Sequence, residues 1–247
     1  MNVKSYLDST YLKTPEQAGL SELENTKVVE GFIDEAIAEG FKLIMIRPNK
    51  VKIAKQKILA ASSKVSVGTV IGFPEGTYTL EEKLTEAQQA ILDGADELDF
   101  VCNYEAFKKG EISLVKNEIL EGTKLGLYHN KIVKWIIEVA ALNGEQIIQL
   151  SALIKNVVIA NFKEEYYSSV FVKSSTGFFK TEGGLPNGAT ESAIKMMLEN
   201  ASPLPVKAAG GVRTYEEAIE MIRLGVKRIG TSSAKAIANG QVANGDY

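Results

Sequence analysis

Ser169-Val170-Phe171-Val172-Lys173-Ser174-Ser175-Thr176-Gly177 decides how the rest of this chain is read. A short apolar run stops at a lysine, and small hydroxyl residues and a glycine follow. Burying an ammonium is costly, and a lysine ordinarily escapes to water. An amine held at the end of a buried strand makes chemical sense as a nucleophile towards a carbonyl. Two other apolar runs stop in the same way, at Lys134 and at Lys207.

Runs of the same kind recur on both sides. Leu43 to Ile46, Val65 to Ile71, Leu98 to Cys102, Ile132 to Val139, Pro205 to Ala208 and Arg228 to Gly230 join Val170 to Lys173 as seven expected strands. Near-continuous apolar runs of this length suit parallel strands covered on both faces. Between them lie helical stripes, such as Val28, Val29, Phe32, Ile33, Ala36 and Ile37, and Leu84, Ala87, Ile91 and Leu92. Thr79 with Glu82, and Thr214 with Glu217, have capping-box spacing ahead of apolar stretches. This alternation means a parallel α/β sheet, open or closed. An eighth strand, which a closed barrel needs, is the weak segment Tyr6-Leu7-Asp8. Ile147 to Phe162 reads two ways: its length suits a helix, while Val157-Val158-Ile159 has strand character. Gly183 to Gly188 reads as a surface loop, and Ala238 to Tyr247 as a mobile tail.

At 247 residues the length fits one (β/α)8 barrel spanning residues 1–247, typically about 250 residues, with 241–247 as its tail. The apolar share of 45% and charged share of 24% are those of a soluble globular protein. A net charge of −3 gives no support for a nucleic-acid surface. Met1 to Asp8 lacks the apolar core of a signal peptide, and no run approaches a membrane span. Cys102 is the only cysteine, so no intrachain disulfide forms and a reducing compartment is expected. His129 is the only histidine, so a Ser-His-Asp mechanism or a multi-histidine metal site would hang on that one residue. It lies in a polar turn and reads as a surface residue, while Cys102 reads as a small packed apolar group.

A single lysine at a strand end is most simply one that reaches out to water. Its company changes that reading. In a parallel barrel the C-terminal strand ends gather at one mouth, where catalysis takes place. Lys207 ends Pro205-Val206-Lys207 and points to the same mouth from the next strand. Asp99 lies within Glu97-Leu98-Asp99-Phe100-Val101, an apolar strand in which a carboxylate needs a reason. A free lysine, with pKa about 10.4, is neutral only about once in 2,500 at pH 7. A second ammonium ~5 Å away, at an effective dielectric near ~20, raises the charged form by roughly 3 kcal/mol and lowers the pKa by about 2 units. Lys207 is thus read as an activator of Lys173, and Asp99 as a proton carrier.

Ala208-Ala209-Gly210-Gly211-Val212-Arg213 follows one late strand, and Gly230-Thr231-Ser232-Ser233 follows the next and opens a helix. Glycine lets a phosphate approach the backbone, and the last two strand–helix loops are the usual phosphate site of such barrels. Lys134 and Glu138 share strand parity. That pairing is read either as an ion pair inside the barrel or as part of a catalytic network. Phe73-Pro74-Glu75-Gly76 is a turn at a strand end, at the mouth.

Taken together, Phe171 to Gly177, Val206 to Arg213, Gly94-Ala95-Asp96-Glu97-Leu98-Asp99 and Lys134-Trp135-Ile136-Ile137-Glu138 resemble the deoxyribose-phosphate aldolase family, along nearly the whole chain. The resemblance implies a class I aldolase on a TIM (β/α)8 barrel that reversibly cleaves 2-deoxy-D-ribose 5-phosphate. It implies that Lys173 forms the Schiff base, Lys207 lowers its pKa and Asp99 relays protons. It implies that Asp8 and Lys134 belong to the polar network, and that Gly177, Gly210, Gly211, Gly230, Ser232 and Ser233 bind the phosphate. Tyr247 matches a terminal tyrosine that assists proton transfer in some members. The expectation carries no cofactor and no metal, a sugar phosphate and aldehydes as partners, no nucleic acid or membrane, a cytoplasmic setting, and a homo-oligomer, dimer or higher. Three departures stand out. Phe178 stands where some relatives carry a lysine, leaving the phosphate to backbone N–H groups, Arg213 or Lys180. Met45-Ile46-Arg47-Pro48 replaces a segment where many have cysteine. Asn161 to Ser168 is longer and more polar. A sister aldolase acting on another sugar phosphate, and a non-catalytic phosphosugar-binding barrel, are the alternatives.

Overall fold

In the computed structural model, which describes residues 2–183 and 186–241, eight parallel strands close into a barrel in chain order. They are β1 Leu7–Thr10, β2 Leu43–Ile46, β3 Ser66–Ile71, β4 Glu97–Val101, β5 Ile132–Ile136, β6 Val170–Lys173, β7 Val206–Ala209 and β8 Arg228–Thr231. Helices alternate with them, so the fold is a TIM (β/α)8 barrel. The weak N-terminal segment is the strand that closes it. Asp8 stands opposite Leu43 on one side and Gly230 on the other. Tyr6 belongs to a preceding 3-10 turn, Val3–Tyr6, so the strand begins one residue later than expected.

Residue alternation divides the strands between two cores. Ile44, Val67, Leu98, Phe100, Val133, Trp135, Val172 and Ile229 point out under the helices. Trp135 stacks on Phe100 with ring centroids 4.9 Å apart and donates its indole N–H to Thr123 Oγ1 at 2.9 Å. Inside the barrel, Leu43, Met45, Val70, Val101 and Ile136 form a second apolar cluster, closed at the mouth by Leu12, Phe73 and Tyr104. Each fully buried aliphatic side chain contributes roughly 1.5–3 kcal/mol.

The helices follow their start signals. Thr79 and Glu82 form a capping box, as do Thr214 and Glu217. The ambiguous run is a helix, Gly144–Asn161, begun by an Asn143–Gln146 capping box. Its buried positions, Ile147, Leu150, Ser151, Ile154, Val157 and Val158, keep a helical period that outweighs the local strand preference of Val157-Val158-Ile159. The stripe expected at Leu84, Ala87, Ile91 and Leu92 is shifted. Lys83, Ala87 and Ala90 are buried, while Leu92 is 71% exposed. Lys83 occupies the core side because its ammonium pairs with Glu118 and donates to the carbonyls of Gly76 and Val101 at 2.7 Å each. Cys102 is buried, as expected. His129 is half-buried at the end of the helix Ile112–Tyr128.

Candidate active site

The other half of the barrel interior is charged. Strand register brings Asp99 opposite Lys134, Lys173 opposite Lys207, and Lys207 opposite Arg228. Asp99 is the hub. Its Oδ1 meets Lys134 Nζ at 2.5 Å, and its Oδ2 meets Lys173 Nζ at 2.9 Å and Lys207 Nζ at 3.0 Å. Lys207 also pairs with Asp8 Oδ2 at 2.6 Å. Arg228 donates from Nε to Asp8 Oδ1 at 2.7 Å and from its NH1 nitrogen to Glu97 Oε1 at 3.0 Å. Glu97 Oε2 reaches Lys134 Nζ at 2.6 Å. All seven side chains are buried.

This ion-paired cluster sets four cations, Lys134, Lys173, Lys207 and Arg228, against three carboxylates, Asp8, Glu97 and Asp99. An uncompensated buried charge is costly, and a titratable group ordinarily neutralises instead. The distribution of carboxylates decides which one. Lys134 has two of them, Glu97 and Asp99. Burial presses its pKa down, but those carboxylates outweigh burial and the value is raised. Lys207 and Arg228 also have two each. Lys173 has one carboxylate oxygen, and Lys207 shares it. Burial lowers Lys173 to about 8, against the pull of Asp99 and with the help of Lys207 and Lys134. Burial thus leads and the neighbouring ammonium follows, whereas sequence reasoning worked out the ammonium's effect alone. Burial pushes Asp99 up, but the three lysines outweigh it and hold the carboxyl well below its usual range.

The expected pairing of Lys134 with Glu138 is not formed. β5 stops at Ile136 rather than continuing to Val139, and Glu138 turns into the left-handed region at φ 54°. Its carboxylate accepts from Ser175 and Thr176 instead. Arg228 and Glu97 were not picked out as site residues in the sequence. Glu97 carried a signal, because it shares strand parity with Asp99. Arg228 carried none, since a charged residue at a strand start reads as solvated.

Beside Lys173 a cleft opens among the late loops. Thr176 and Gly177 line it after β6, Gly210, Gly211 and Arg213 after β7, and Gly230, Thr231 and Ser232 on β8 and its loop. Thr10, Leu12 and Asn187 complete the wall, which sequence reasoning did not anticipate. Gly210 has φ +84°, and a Cβ there would stand 2.9 Å from Gly188 Cα. Gly188, at the end of the expected surface loop, is therefore buried against the cleft. Gly230 is glycine for another reason: a Cβ would stand 3.0 Å from Lys207 Cε. Ser233 is not part of the lining. Its N–H donates to Thr231 Oγ1 at 3.0 Å, and the following helix begins at Ala234. Lys180 is not in the lining either, whereas Arg213 is. Tyr247 lies outside the described residues.

Two of the sequence departures meet at the mouth. Phe178 packs edge-on against Phe73 at 5.1 Å, and the Arg47 guanidinium lies over Phe73 at 4.7 Å. Arg47 also donates from Nε to the Leu12 carbonyl at 2.7 Å. The polar stretch before β6 is a short 3-10 helix, Glu164–Ser169. Among the described residues, no cluster of His, Cys, Asp and Glu side chains is arranged to hold a metal ion. A neutral, buried amine beside an anion-sized cleft can attack an aldehyde and hold the resulting imine.

A family model described as DeoC/LacD family aldolase matches residues 7–243. A deoxyribose-phosphate aldolase of Thermococcus gammatolerans is 38% identical over 241 residues, covering 97% of this chain and 96% of the relative. A solved structure named QR15, an aldolase, superposes with TM-score 0.80 at 33% identity, over 97% of this chain and 95% of the other. The deoxyribose phosphate aldolase of Aeropyrum pernix, described as a unique tetrameric structure, gives TM-score 0.74 at 27% identity, over 96% of this chain and 89% of that one.

Proposed function

Because the chain belongs to the DeoC/LacD aldolase family, we propose that it is a class I aldolase reversibly cleaving 2-deoxy-D-ribose 5-phosphate to acetaldehyde and D-glyceraldehyde 3-phosphate. The observation that carries this is the buried Lys173 amine. Its pKa is lowered to about 8, it touches Asp99, and it faces a cleft lined by Gly177, Gly210 and Gly211. At pH 7 about one tenth of such an amine is neutral, against roughly one in 2,500 for an unperturbed lysine.

Neutral Lys173 Nζ attacks C1 of the open-chain sugar. The carbinolamine loses water to give a protonated imine. A base removes the 3-hydroxyl proton, and the C3 oxygen becomes the carbonyl of the departing triose phosphate. The C2–C3 electron pair moves into the iminium, leaving an enamine. Protonation at C2 restores the iminium, and water releases acetaldehyde and the amine. Asp99, Lys207 and water carry these protons. Asp99 is too acidic to hold a proton while three ammonium groups surround it. While Lys173 is neutral, during imine formation, one of those charges is gone and the basicity of Asp99 rises, because the groups titrate together. The iminium restores that charge, so in the cleavage step Asp99 orients the relay water rather than keeping the proton. Lys134 anchors Asp99, and Asp8 anchors Lys207. Backbone N–H groups near Gly210, Gly211 and Ser232, with Arg213, hold the phosphate in the cleft that Gly177 lines, away from the reacting bond, where binding energy serves catalysis. Tyr247 is assigned help in proton transfer by family likeness.

The iminium is itself the electron sink, so the reaction needs neither metal nor cofactor. No described helix is long and apolar enough to cross a membrane, and a cytoplasmic setting is part of the same proposal. So is self-association. It is supported by an apolar groove between the helices Leu80–Leu92 and Ile112–Tyr128, on which Leu92 and Tyr128 are 71% and 81% exposed.

Treatment with acetaldehyde and borohydride, followed by peptide mapping, tests the reading. The expected product is an ethyl adduct on Lys173, and its absence defeats a Schiff-base mechanism. An adduct without cleavage of 2-deoxyribose 5-phosphate would point to an aldolase for another sugar phosphate.

A further inference from the structure

Glu138 is buried at the mouth and has no part in the steps above. Its backbone stands in the left-handed region at φ 54°, uncommon for a residue with a Cβ. The neighbouring N–H groups explain the turn. Ile137 N–H donates to the Lys173 carbonyl at 3.0 Å, and Val139 N–H to the Ser174 carbonyl at 2.8 Å. Between them, the Glu138 carboxylate accepts from Ser175 Oγ at 2.8 Å, from Thr176 N–H at 3.0 Å and from the Thr176 hydroxyl. Residues 137 to 139 therefore clasp residues 173 to 176, the nucleophile and the three that follow it.

The far end of the clasp is the phosphate cleft. Thr176 and Gly177 line it. Gly177 N–H donates to Ser175 Oγ at 2.9 Å, and Ser175 Oγ also lies 2.7 Å from the Asn187 carbonyl. The Asn187 amide in turn donates to the Gly177 carbonyl at 3.3 Å. A buried carboxyl and a strained backbone are both unfavourable, and they persist where surrounding contacts fix them. Here those contacts run from Lys173 to the cleft wall, and the Glu138 carbonyl also accepts from Ala141 N–H at 3.0 Å.

We infer that Glu138 is a positioning residue that couples anion binding in the cleft to the reactivity of Lys173. This rests on the imine and the phosphate cleft proposed above. An anion in the cleft that Thr176 and Gly177 line tightens the clasp, and the clasp sets where the Lys173 amine stands against the carbonyl. A displacement of about 1 Å there is enough to change a rate by about a hundredfold.

The test is the rate at which borohydride traps the acetaldehyde adduct at Lys173, with and without inorganic phosphate. In the wild type, phosphate should accelerate trapping about fivefold or more, the lower end of measured site-to-site couplings. In Glu138→Gln, an amide N–H₂ replaces one accepting oxygen. The ratio with and without phosphate should then fall to near one, whatever the basal rate. Ser175→Ala removes the hydroxyl next in the chain of contacts and should lower the same ratio, so it decides the matter if Glu138→Gln does not fold. A wild-type rate indifferent to phosphate, or a variant that keeps the wild-type ratio, overturns the coupling alone. A wild type that forms no adduct defeats the aldolase reading and the coupling with it.

Discussion

Removing Lys207 should make Lys173 a poorer nucleophile at neutral pH by a calculable amount. In Lys207→Leu, the four cations facing three carboxylates become three, and the cluster is neutral with Lys173 protonated. Neither carboxylate that Lys207 touches is orphaned. Asp8 keeps Arg228, and Asp99 keeps Lys134 and Lys173. The fold should therefore survive. Both ammonium groups contact the same oxygen, which puts them ~5 Å apart. At an effective dielectric near ~20 their repulsion is about 3 kcal/mol, or about 2 pKa units. Lys173 should move from about 8 to near ~10. Its neutral fraction at pH 7 then falls from about one in ten to about one in a thousand, a loss of about a hundredfold in imine formation. The assay is the rate of acetaldehyde adduct formation at Lys173 across pH 6 to 11, read by intact mass after borohydride trapping. The loss should be largest at neutral pH and should shrink towards the alkaline limit. If the midpoint stays near 8 while the rate drops equally at every pH, burial alone sets the Lys173 pKa and the electrostatic argument for Lys207 is wrong.

Lys173→Met should change how stability depends on pH. The folded pKa of Lys173 is depressed from 10.5 to about 8, so its favourable contribution is present above 10.5 and is lost as pH falls through about 8. Wild-type stability, measured against the variant by denaturant unfolding, should therefore gain roughly 3 kcal/mol between pH 8 and pH 10.5, and a flat difference would refute this. Gly210→Ala forces a Cβ into the Gly188 backbone at a positive φ. It should raise KM for 2-deoxyribose 5-phosphate by about tenfold or more, near 1.4 kcal/mol, with a smaller effect on unphosphorylated 2-deoxyribose; equal effects would move the phosphate away from this loop. Prolonged treatment with a chelator should leave the cleavage rate unchanged, and strong inhibition would point to a metal-dependent reaction.

What could be read from the sequence followed from how each residue's surroundings are signalled along the chain. Seven strands were legible because both their faces are covered and their runs are apolar. β1 was barely so, because its residues are Leu7-Asp8-Ser9-Thr10 and its inward Asp8 interrupts any apolar run. Lys173, Lys207 and Asp99 stood out for the opposite reason, as charges set inside apolar strands. Glu138 misled, because a period of two holds only while the backbone stays extended, and the chain turns left-handed at that residue. Lys83 was invisible. A lysine in the first turns of an amphipathic helix looks solvated, and its partner Glu118 lies on another helix. Pairings of that kind are set by tertiary contact, which no local pattern encodes.

In the proposed mechanism, the partial depression of Lys173 fits two demands that pull in opposite directions. The amine must be neutral to attack, yet the imine it forms must be protonated to accept the C2–C3 electron pair. The iminium is a cation at nearly the same place as the ammonium. A wholly apolar pocket could bring a lysine down to a pKa near ~5–6, and every amine would then be ready at pH 7. The same pocket would strip the proton from the imine and remove the electron sink. Asp99 prevents this. It raises the Lys173 pKa against burial, which lowers the fraction of neutral amine, and its Oδ2 is placed to stabilise the iminium that follows. With the value left at about 8, roughly one amine in ten is ready at pH 7, and the carboxylate that limits attack supports the cleavage step. Reactivity at Lys173 thus depends on burial and on an unequal sharing of three carboxylates among four cations, and neither factor alone would give an amine that both attacks and activates.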